Sequence, residues 1–168
     1  PRAIKGHIVI PNGVTRIGFE EGVGITFSGC DNLVSITLPE SLTIIGGSAF
    51  SGCRNLKTIN IPIAATVIGN YAFVDCINLA SVVISNSVKS ICFNAFSGCI
   101  GLNNVFYYGS ASEWADISIG YGNDSLISAT IYYYSESNPF EGENASTDGN
   151  YWHYDADGVT PVVWTKEN

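Results

Sequence analysis

The sequence predicts a solenoid, a stack of short and similar coils, and two observations support this prediction. The first is a fixed spacing, since four of the five cysteines stand 23 residues apart, at positions 30, 53, 76 and 99. The second is a shared context, since each of these cysteines has Phe three residues before it and Leu three residues after it. A fixed period of roughly 20 to 50 residues is typical of repeat architectures.

Each coil is predicted to contain one short β-strand. The segment Leu-x-x-Ile-x-Leu ends in alternating apolar and polar residues, which is typical of a strand with one buried face. Pro39 and Pro62 follow two of these segments, and proline ends a strand because it has no N–H to donate. The pattern predicts strands at residues 8–10, 35–38, 58–61, 81–84 and 104–108.

The segment Ile-Gly-x-x-Ala-Phe is predicted to form one helical or 3₁₀ turn, because it is short and has a small residue beside its Phe. No coil can bury its own apolar edge, so stability must come from stacking. The first coil differs: Ile17 and Phe27 are ten residues apart, whereas Ile45 and Phe50 are five apart. Five extra residues within 18–25 are therefore predicted to bulge from the stack.

Stacking places equivalent positions of successive coils in line, pointing into the core. Coils about 4.8 Å apart are close enough for a disulfide. Parallel side chains instead favour unbridged, buried thiols, because cysteine behaves as a small apolar residue. The predicted structural ladder consists of Phe27, Phe50, Phe73 and Phe96 with Cys30, Cys53, Cys76 and Cys99.

The repeat pattern ends at Tyr108, which divides the chain into three predicted regions. Residues 1–108 form the coils, 109–134 a C-terminal cap of the solenoid, and 135–168 an acidic linker followed by an aromatic β-hairpin. Terminal repeats are expected to differ because their outer face meets water.

Within the cap, residues 112–116 are predicted to form a capped helical turn, and residues 129–134 the last strand. Residues 138–150 are rich in Gly, Asn, Ser and acids, which is typical of a linker. The aromatic segments 151–154 and 162–164 are predicted to pair as the hairpin.

The net charge of −8 is unevenly distributed. Residues 1–135 include eight acidic and six basic residues, whereas the segment from Glu136 onward has seven acidic residues and one basic residue, Lys166. Nucleic-acid binding is not expected, because phosphates require clustered Lys and Arg. Membrane insertion of this fragment is not expected either, because it has no long apolar run. The start at Pro1 rather than Met indicates a fragment whose signal and anchor lie elsewhere.

No motif for catalysis, a metal or a cofactor is found, so we expect a non-enzyme with none of them. The repeat cysteines lack a paired His, and no nucleophile motif occurs. His7 and His153 are the only histidines, and neither has metal-ligand spacing. Asp155, Asp157 and Gly158 match only part of a calcium loop, so a hairpin turn is expected there.

Residues between the core columns of the strands are predicted to face outward on the concave sheet. Val83 and Phe106 are two apolar residues among these outward positions. They indicate either an exposed contact patch or a surface covered by the tail hairpin, and the sequence leaves both open. The predicted protein-binding face consists of Thr37, Lys57, Asn60, Val83, Asn104 and Phe106.

The columns L-x-x-I-x-[LI]-P and I-G-x-x-A-F-x-x-C resemble the BspA-like leucine-rich repeats, also called the Treponema pallidum type. The match within one coil comprises Leu56, Ile59, Ile61, Pro62, Ile68, Gly69, Ala72, Phe73 and Cys76, and it extends over about residues 8–108. The resemblance implies a leucine-rich-repeat solenoid, a right-handed α/β-type superhelix of mostly short parallel strands with short helical turns.

The resemblance also implies a bacterial surface or secreted protein that adheres to host or extracellular-matrix proteins. It therefore favours a non-catalytic, monomeric protein-interaction module with an extracellular or cell-surface location. A first alternative is a structural stalk or capping segment of a longer array, in which the tail hides Phe106. A second is carbohydrate binding through the aromatic tail.

Overall fold

The computed structural model describes residues 6–18, 26–141, 146 and 149–166. One long strand per coil builds the face that concerns function. These strands are β1 (Gly6–Val9), β3 (Leu33–Thr37), β5 (Thr58–Asn60), β7 (Ser81–Ser85) and β9 (Asn104–Tyr108). β1 pairs with β3, and β5, β7 and β9 pair in sequence, all in parallel. From β5 to β9 the register advances by one repeat per coil, which confirms the predicted solenoid. All five predicted strands are present, although β1 and β3 each begin two residues before the predicted bounds.

A second parallel sheet runs along the other side of the coils. It is built by the two-residue strands β2 (Arg16–Ile17), β4 (Ile44–Ile45), β6 (Val67–Ile68), β8 (Ser90–Ile91) and β10 (Ser118–Ile119). The Ile-Gly-x-x-Ala-Phe segment forms a single turn, in which Ala72 N donates to the Gly69 oxygen at 3.2 Å. The turn does not continue, and the described residues 26–109 contain no helix.

Backbone geometry explains why a helix does not form there. Ser48, Tyr71 and Asn94 have φ angles of 52°, 58° and 53°, a left-handed conformation that a right-handed helix does not accommodate. Backbone N–H groups of this segment donate hydrogen bonds to the neighbouring coil. Phe50 N, for example, donates to the oxygen of Ala72 at 2.7 Å. Hydrogen bonds between coils thus limit each segment to single turns and prevent a continuous helix.

The core is a set of columns that run through the stack. Phe27, Phe50, Phe73 and Phe96 stack on one another, with ring centroids 5.5, 5.2 and 5.0 Å apart. Aromatic pairs in offset stacks contribute about 0.5–1.5 kcal/mol each beyond the area they bury. All four rings are buried, so the three interfaces between these four coils share the same aromatic contact.

The repeat cysteines form a second column beside these rings. All four are 0–1% exposed, and no disulfide joins the five cysteines of the chain. The thiols of Cys53, Cys76 and Cys99 each donate to a Phe carbonyl oxygen of an earlier coil at 3.1 Å. Burial raises the pKa of Cys53 and Cys99 to about 12.

The cap begins with a short helix, α1 (Ala111–Ala115). Its N-cap is Ser110, which forms a reciprocal capping box with Glu113 and thereby satisfies two helix-end N–H groups. The predicted capped turn exists but starts earlier than residue 112. A further helix, α2 (Asp124–Ile127), was not predicted.

Three strands follow α2 in the long-strand sheet. β11 (Thr130–Tyr134) pairs in parallel with β9, and β12 (Tyr151–Tyr154) pairs in parallel with β11. β13 (Pro161–Val163) pairs with β12 in antiparallel fashion, which confirms the predicted hairpin. The hairpin is continuous with the sheet of the coils. The bulge predicted for the first coil falls largely on residues 19–25, outside the described residues.

Candidate functional site

The tail hairpin covers the C-terminal part of the strand face. Val83 and Phe106 are only 5% and 6% exposed, and Trp152 above them is 0% exposed. The Phe106 and Trp152 ring centroids lie 5.5 Å apart. The assignment of Val83 and Phe106 to an open binding face is therefore corrected, because the indole removes both from solvent. The alternative in which the tail covers them describes the structure.

The other four residues of the predicted face have different positions. Thr37, Lys57 and Asn60 are exposed. Asn104 is half-buried, in a strand flanked on both sides by the strands of Ser81 and Thr130. The structure brings Thr37 and Asn60 together in one groove, where the nearly buried Val83 also contributes to the lining, whereas Lys57, Asn104 and Phe106 do not line it.

The groove lies between the uncovered strands and the hairpin and has a volume of about 760 Å³. Its floor is formed by neutral hydroxyl and amide side chains and one imidazole: His7, Ser35, Thr37, Thr58, Asn60 and Ser81. Its walls include Glu40, Tyr108, Tyr154 and residues 158–161 of the hairpin. Successive side chains of a strand point to opposite faces, so these polar residues face the groove while the residues between them point into the core.

Hydrogen bonds between neighbouring strands hold the His7 ring on the floor. Its Nδ1 lies 2.8 Å from the Ser35 Oγ, and its Nε2 lies 3.2 Å from the Thr37 Oγ1. Both ring nitrogens are engaged by hydroxyl groups, which can donate or accept. The imidazole is thus fixed in orientation and contributes a flat polar surface.

Glu40 and Tyr154 belong to the walls of the groove. The Glu40 carboxylate accepts a hydrogen bond from the Ile63 N–H at 3.4 Å. Burial raises the pKa of Tyr154, and so do Tyr108 and the negative charge of Glu40. The Tyr154 phenol therefore stays protonated, as an uncharged ring with a hydroxyl group.

The hairpin turn that ends the wall is closed by its own carboxylate. Asp157 accepts hydrogen bonds from the Thr160 hydroxyl and from the Val159 and Thr160 N–H groups. The bonds from Thr160 are the main reason why the pKa of Asp157 is lowered. This carboxylate supports a turn, in the place where the sequence matched part of a calcium loop.

The described residues offer little for metal binding or nucleophilic chemistry. They contain no cluster of three or more His, Cys, Asp and Glu side chains that could hold a metal ion. The buried thiols have raised pKa values, and the thiolate is the nucleophilic form of cysteine. No helix among the described residues is long and apolar enough to cross a membrane.

Sequence analysis missed the groove walls. Glu40 lies just beyond a strand of an early coil, whereas Tyr154 belongs to the tail, and no local pattern connects them. A weaker signal was available. Aromatic residues two apart occur in β9, β11 and β12, at 106 and 108, 132 and 134, and 152 and 154. Such spacing places each pair on one face of its strand, which indicates adjacent strands sharing an aromatic face.

A family model described as "BspA type Leucine rich repeat region (6 copies)" matches residues 5–119. Among solved structures, the chain is similar to a leucine rich cell surface protein from Faecalibacterium prausnitzii A2-165. The two are 35% identical, with a TM-score of 0.57, over 67% of this chain and 34% of that protein. The chain thus spans about a third of the length of this relative.

Two further structures are similar over comparable lengths. The leucine-rich repeat protein of T. pallidum is 23% identical over 68% of this chain and 72% of that one, with a TM-score of 0.43. A leucine-rich repeat protein from Bacteroides ovatus ATCC 8483 is 26% identical over 79% of this chain and 39% of that one, with a TM-score of 0.43. No curated protein matches the chain.

Proposed function

The chain belongs to the BspA-type leucine-rich-repeat family, and from this premise we propose that it is a non-catalytic protein-interaction module of a bacterial surface or secreted protein. It adheres to a host extracellular-matrix or cell-surface protein. The binding site is the part of the strand face that the hairpin leaves open. Similarity to a protein described as a cell surface protein supports this location.

The groove carries the proposal. Its floor combines exposed side chains from successive coils, including Thr37, Thr58 and Asn60. Because ladder hydrogen bonds and core columns fix each strand, these groups need little ordering when a partner binds. Preorganisation of this kind improves affinity by lowering the entropic cost of association.

A non-catalytic role agrees with the chemistry of the groove. Glu40 is the one carboxylate among its described lining residues, whereas paired acid–base catalysis by carboxylates needs two at a fixed separation. The His7 ring is engaged by two hydroxyl groups and has no carboxylate or cysteine partner among them.

The test is a binding screen of the purified chain on immobilised matrix proteins, including fibronectin and fibrinogen. Thr37→Arg places a bulky charge on the groove floor. Thr66→Arg is the matched control, since Thr66 is also exposed but does not line the groove. A saturable hit that Thr37→Arg abolishes and Thr66→Arg retains is expected. Equal binding by both variants would overturn the site.

A second candidate is a capping segment of a longer repeat array, with recognition in other coils. The burial of Phe106 beneath Trp152 favours it, because that is the arrangement expected if the tail serves to close the stack. The absence of any saturable partner, with the groove variants behaving like the parent chain, would support this candidate.

Carbohydrate binding through the aromatic tail has less support. Trp152 is fully buried, and Trp164 packs against the His153 ring with centroids 4.0 Å apart. The indole faces that could stack on a sugar are therefore engaged in the protein's own packing.

A further inference from the structure

We propose that the groove binds an extended, cationic segment of its protein partner, with a lysine or arginine side chain placed between the Glu40 carboxylate and the Tyr154 ring. This inference rests on the proposed function and assigns the chemistry of the ligand. It follows from the charge of the walls, the aromatic rings beside them and the dimensions of the floor.

Charge is the first argument. Among the described residues that line the groove, Glu40 is the only carboxylate, and there is no Lys or Arg. Asp155 and Asp157 are exposed in the turn that leads into the hairpin wall at Gly158. The groove and its rim therefore carry acidic groups without a basic one among the described lining residues. Such complementarity attracts basic segments and repels acidic ones.

The aromatic wall is the second argument. Tyr108 and Tyr154 both line the groove, with ring centroids 6.2 Å apart. Both side chains are half-buried and so keep part of their surface exposed to solvent. A cation placed over the face of a tyrosine ring is stabilised by the negative charge density of the ring. Glu40 and Tyr154 both line this groove, so one cation held there can face the carboxylate and the ring.

The floor supplies the third argument. From β1 to β7 it crosses three strand spacings of about 4.8 Å, a distance that roughly four extended residues span. Its hydroxyl and amide groups are neutral and can both donate and accept. They suit the main-chain N–H and C=O groups of a peptide, while the carboxylate and ring at the wall select its basic side chain.

The test is a titration of the ¹⁵N-labelled chain, followed by NMR. The probes are two blocked pentapeptides, Gly-Lys-Gly-Lys-Gly and Gly-Glu-Gly-Glu-Gly, together with the neutral sugar maltotetraose. We expect the lysine peptide alone to shift the amide signals of Thr37, Asn60 and Tyr154 in a saturable way. Saturable shifts of the same amides by the acidic peptide or the sugar would overturn the inference, as would none with the lysine peptide.

Variants then test the proposed contact. Glu40→Gln, at an exposed position, is expected to weaken binding of the lysine peptide about two- to fivefold, the range for an exposed ion pair. Asp31→Asn is the matched control, because Asp31 is exposed in the same coil but lies outside the groove. Equal weakening by both variants, or by neither, contradicts the role of Glu40.

The two proposals can fail separately. If an immobilised partner is lost with Thr37→Arg but binds Glu40→Gln and the parent chain equally, the groove function stands and the cationic-segment inference falls. If the lysine peptide binds with the expected dependence on Glu40 while no matrix protein binds, the ligand chemistry stands and the adhesion proposal falls.

Discussion

The indole Nε1 of Trp152 donates a hydrogen bond to the main-chain oxygen of Tyr107 at a distance of 2.9 Å. Tyr107 belongs to the long strand of a repeat coil, and Trp152 belongs to the tail hairpin. The bond is buried and joins residues 45 positions apart. It fixes the hairpin over the strand face and so determines where the open groove begins.

Trp152→Ala is expected to release the hairpin and to cost about 3–5 kcal/mol of stability, as for other large-to-small core changes. Because a solenoid is stabilised mainly by contacts between neighbours, the loss should be local. Hydrogen exchange should accelerate at residues 151–163 and change little at 58–91. Trp152→Phe keeps much of the apolar contact but loses the hydrogen bond, so an intermediate effect is expected. Uniform acceleration throughout the chain would contradict local release.

Thiol labelling should distinguish Cys92 from the cysteine column. Cys92 is half-buried, whereas the four repeat cysteines are buried with raised pKa values. At about pH 8, close to the ordinary thiol pKa, a disulfide reagent should label one thiol in the folded protein. All five should react in denaturant. Rapid labelling of more than one thiol in the folded chain would count against the buried column.

The same thiols predict how stability depends on pH. Burial raises the pKa of Cys53 and Cys99 to about 12, whereas unfolded thiols ionise near 8.5. The stabilising effect is therefore complete below pH of about 8.5 and is lost as the pH rises toward 12. Denaturant midpoints measured at alkaline pH should fall across this window. Replacing Cys53 with Ala should make the decline shallower.

Cys53→Asp is expected to unfold the domain, because it places a carboxylate with no compensating charge inside the stack. Cys53→Ala should leave only a modest cavity and remove the weak donor to the Phe27 oxygen. Circular dichroism and thermal unfolding of both variants provide the measurement. A folded Cys53→Asp chain would show that the column does not need to be apolar.

Asn123→Ala should destabilise the cap, although Asn is usually an exposed residue. Asn123 is fully buried. Its side-chain Oδ1 accepts a hydrogen bond from the Phe96 N–H, and its Nδ2 donates to the carbonyl oxygens of Cys92 and Gly120. An unsatisfied buried group costs about 1–3 kcal/mol, so a loss of at least ~2 kcal/mol is expected. Asn55→Ala is the control, since exposed Asn55 makes one such bond, to Asp31. Similar melting temperatures for the two variants would contradict this assignment.

The stack could be predicted from the sequence because one contact rule is repeated in every coil. The spacing that stacks Phe50 on Phe73 also separates the other phenylalanines and the repeat cysteines, so it predicts the whole column of each. The turn after Ile45 could not be predicted in the same way. Local composition indicated one helical or 3₁₀ turn, but could not show that hydrogen bonds to the next coil and the left-handed Ser48 keep the segment from continuing as a helix.

The candidate site was less predictable because it depends on contacts between distant parts of the chain. Alternation placed Thr37 and Asn60 outward, and both line the groove. Alternation placed Phe106 outward as well, on the same face, but could not show whether Trp152 would lie on it. The pairing of β12 with β11 decides that question, and it follows a linker whose length does not determine its path.

The strands from β5 to β9 pair at a constant interval of one repeat. The coding sequence can therefore lose or gain one whole repeat without disturbing the pairing. Thr58 pairs with Ser81, and Ser81 with Asn104, at intervals of one repeat. Deleting residues 54–76 would join Cys53 to Ile77 with every later residue in an equivalent place. Recombination between repeats can therefore shorten or lengthen the groove by one strand spacing at a time while preserving both the columns and the tail that closes them.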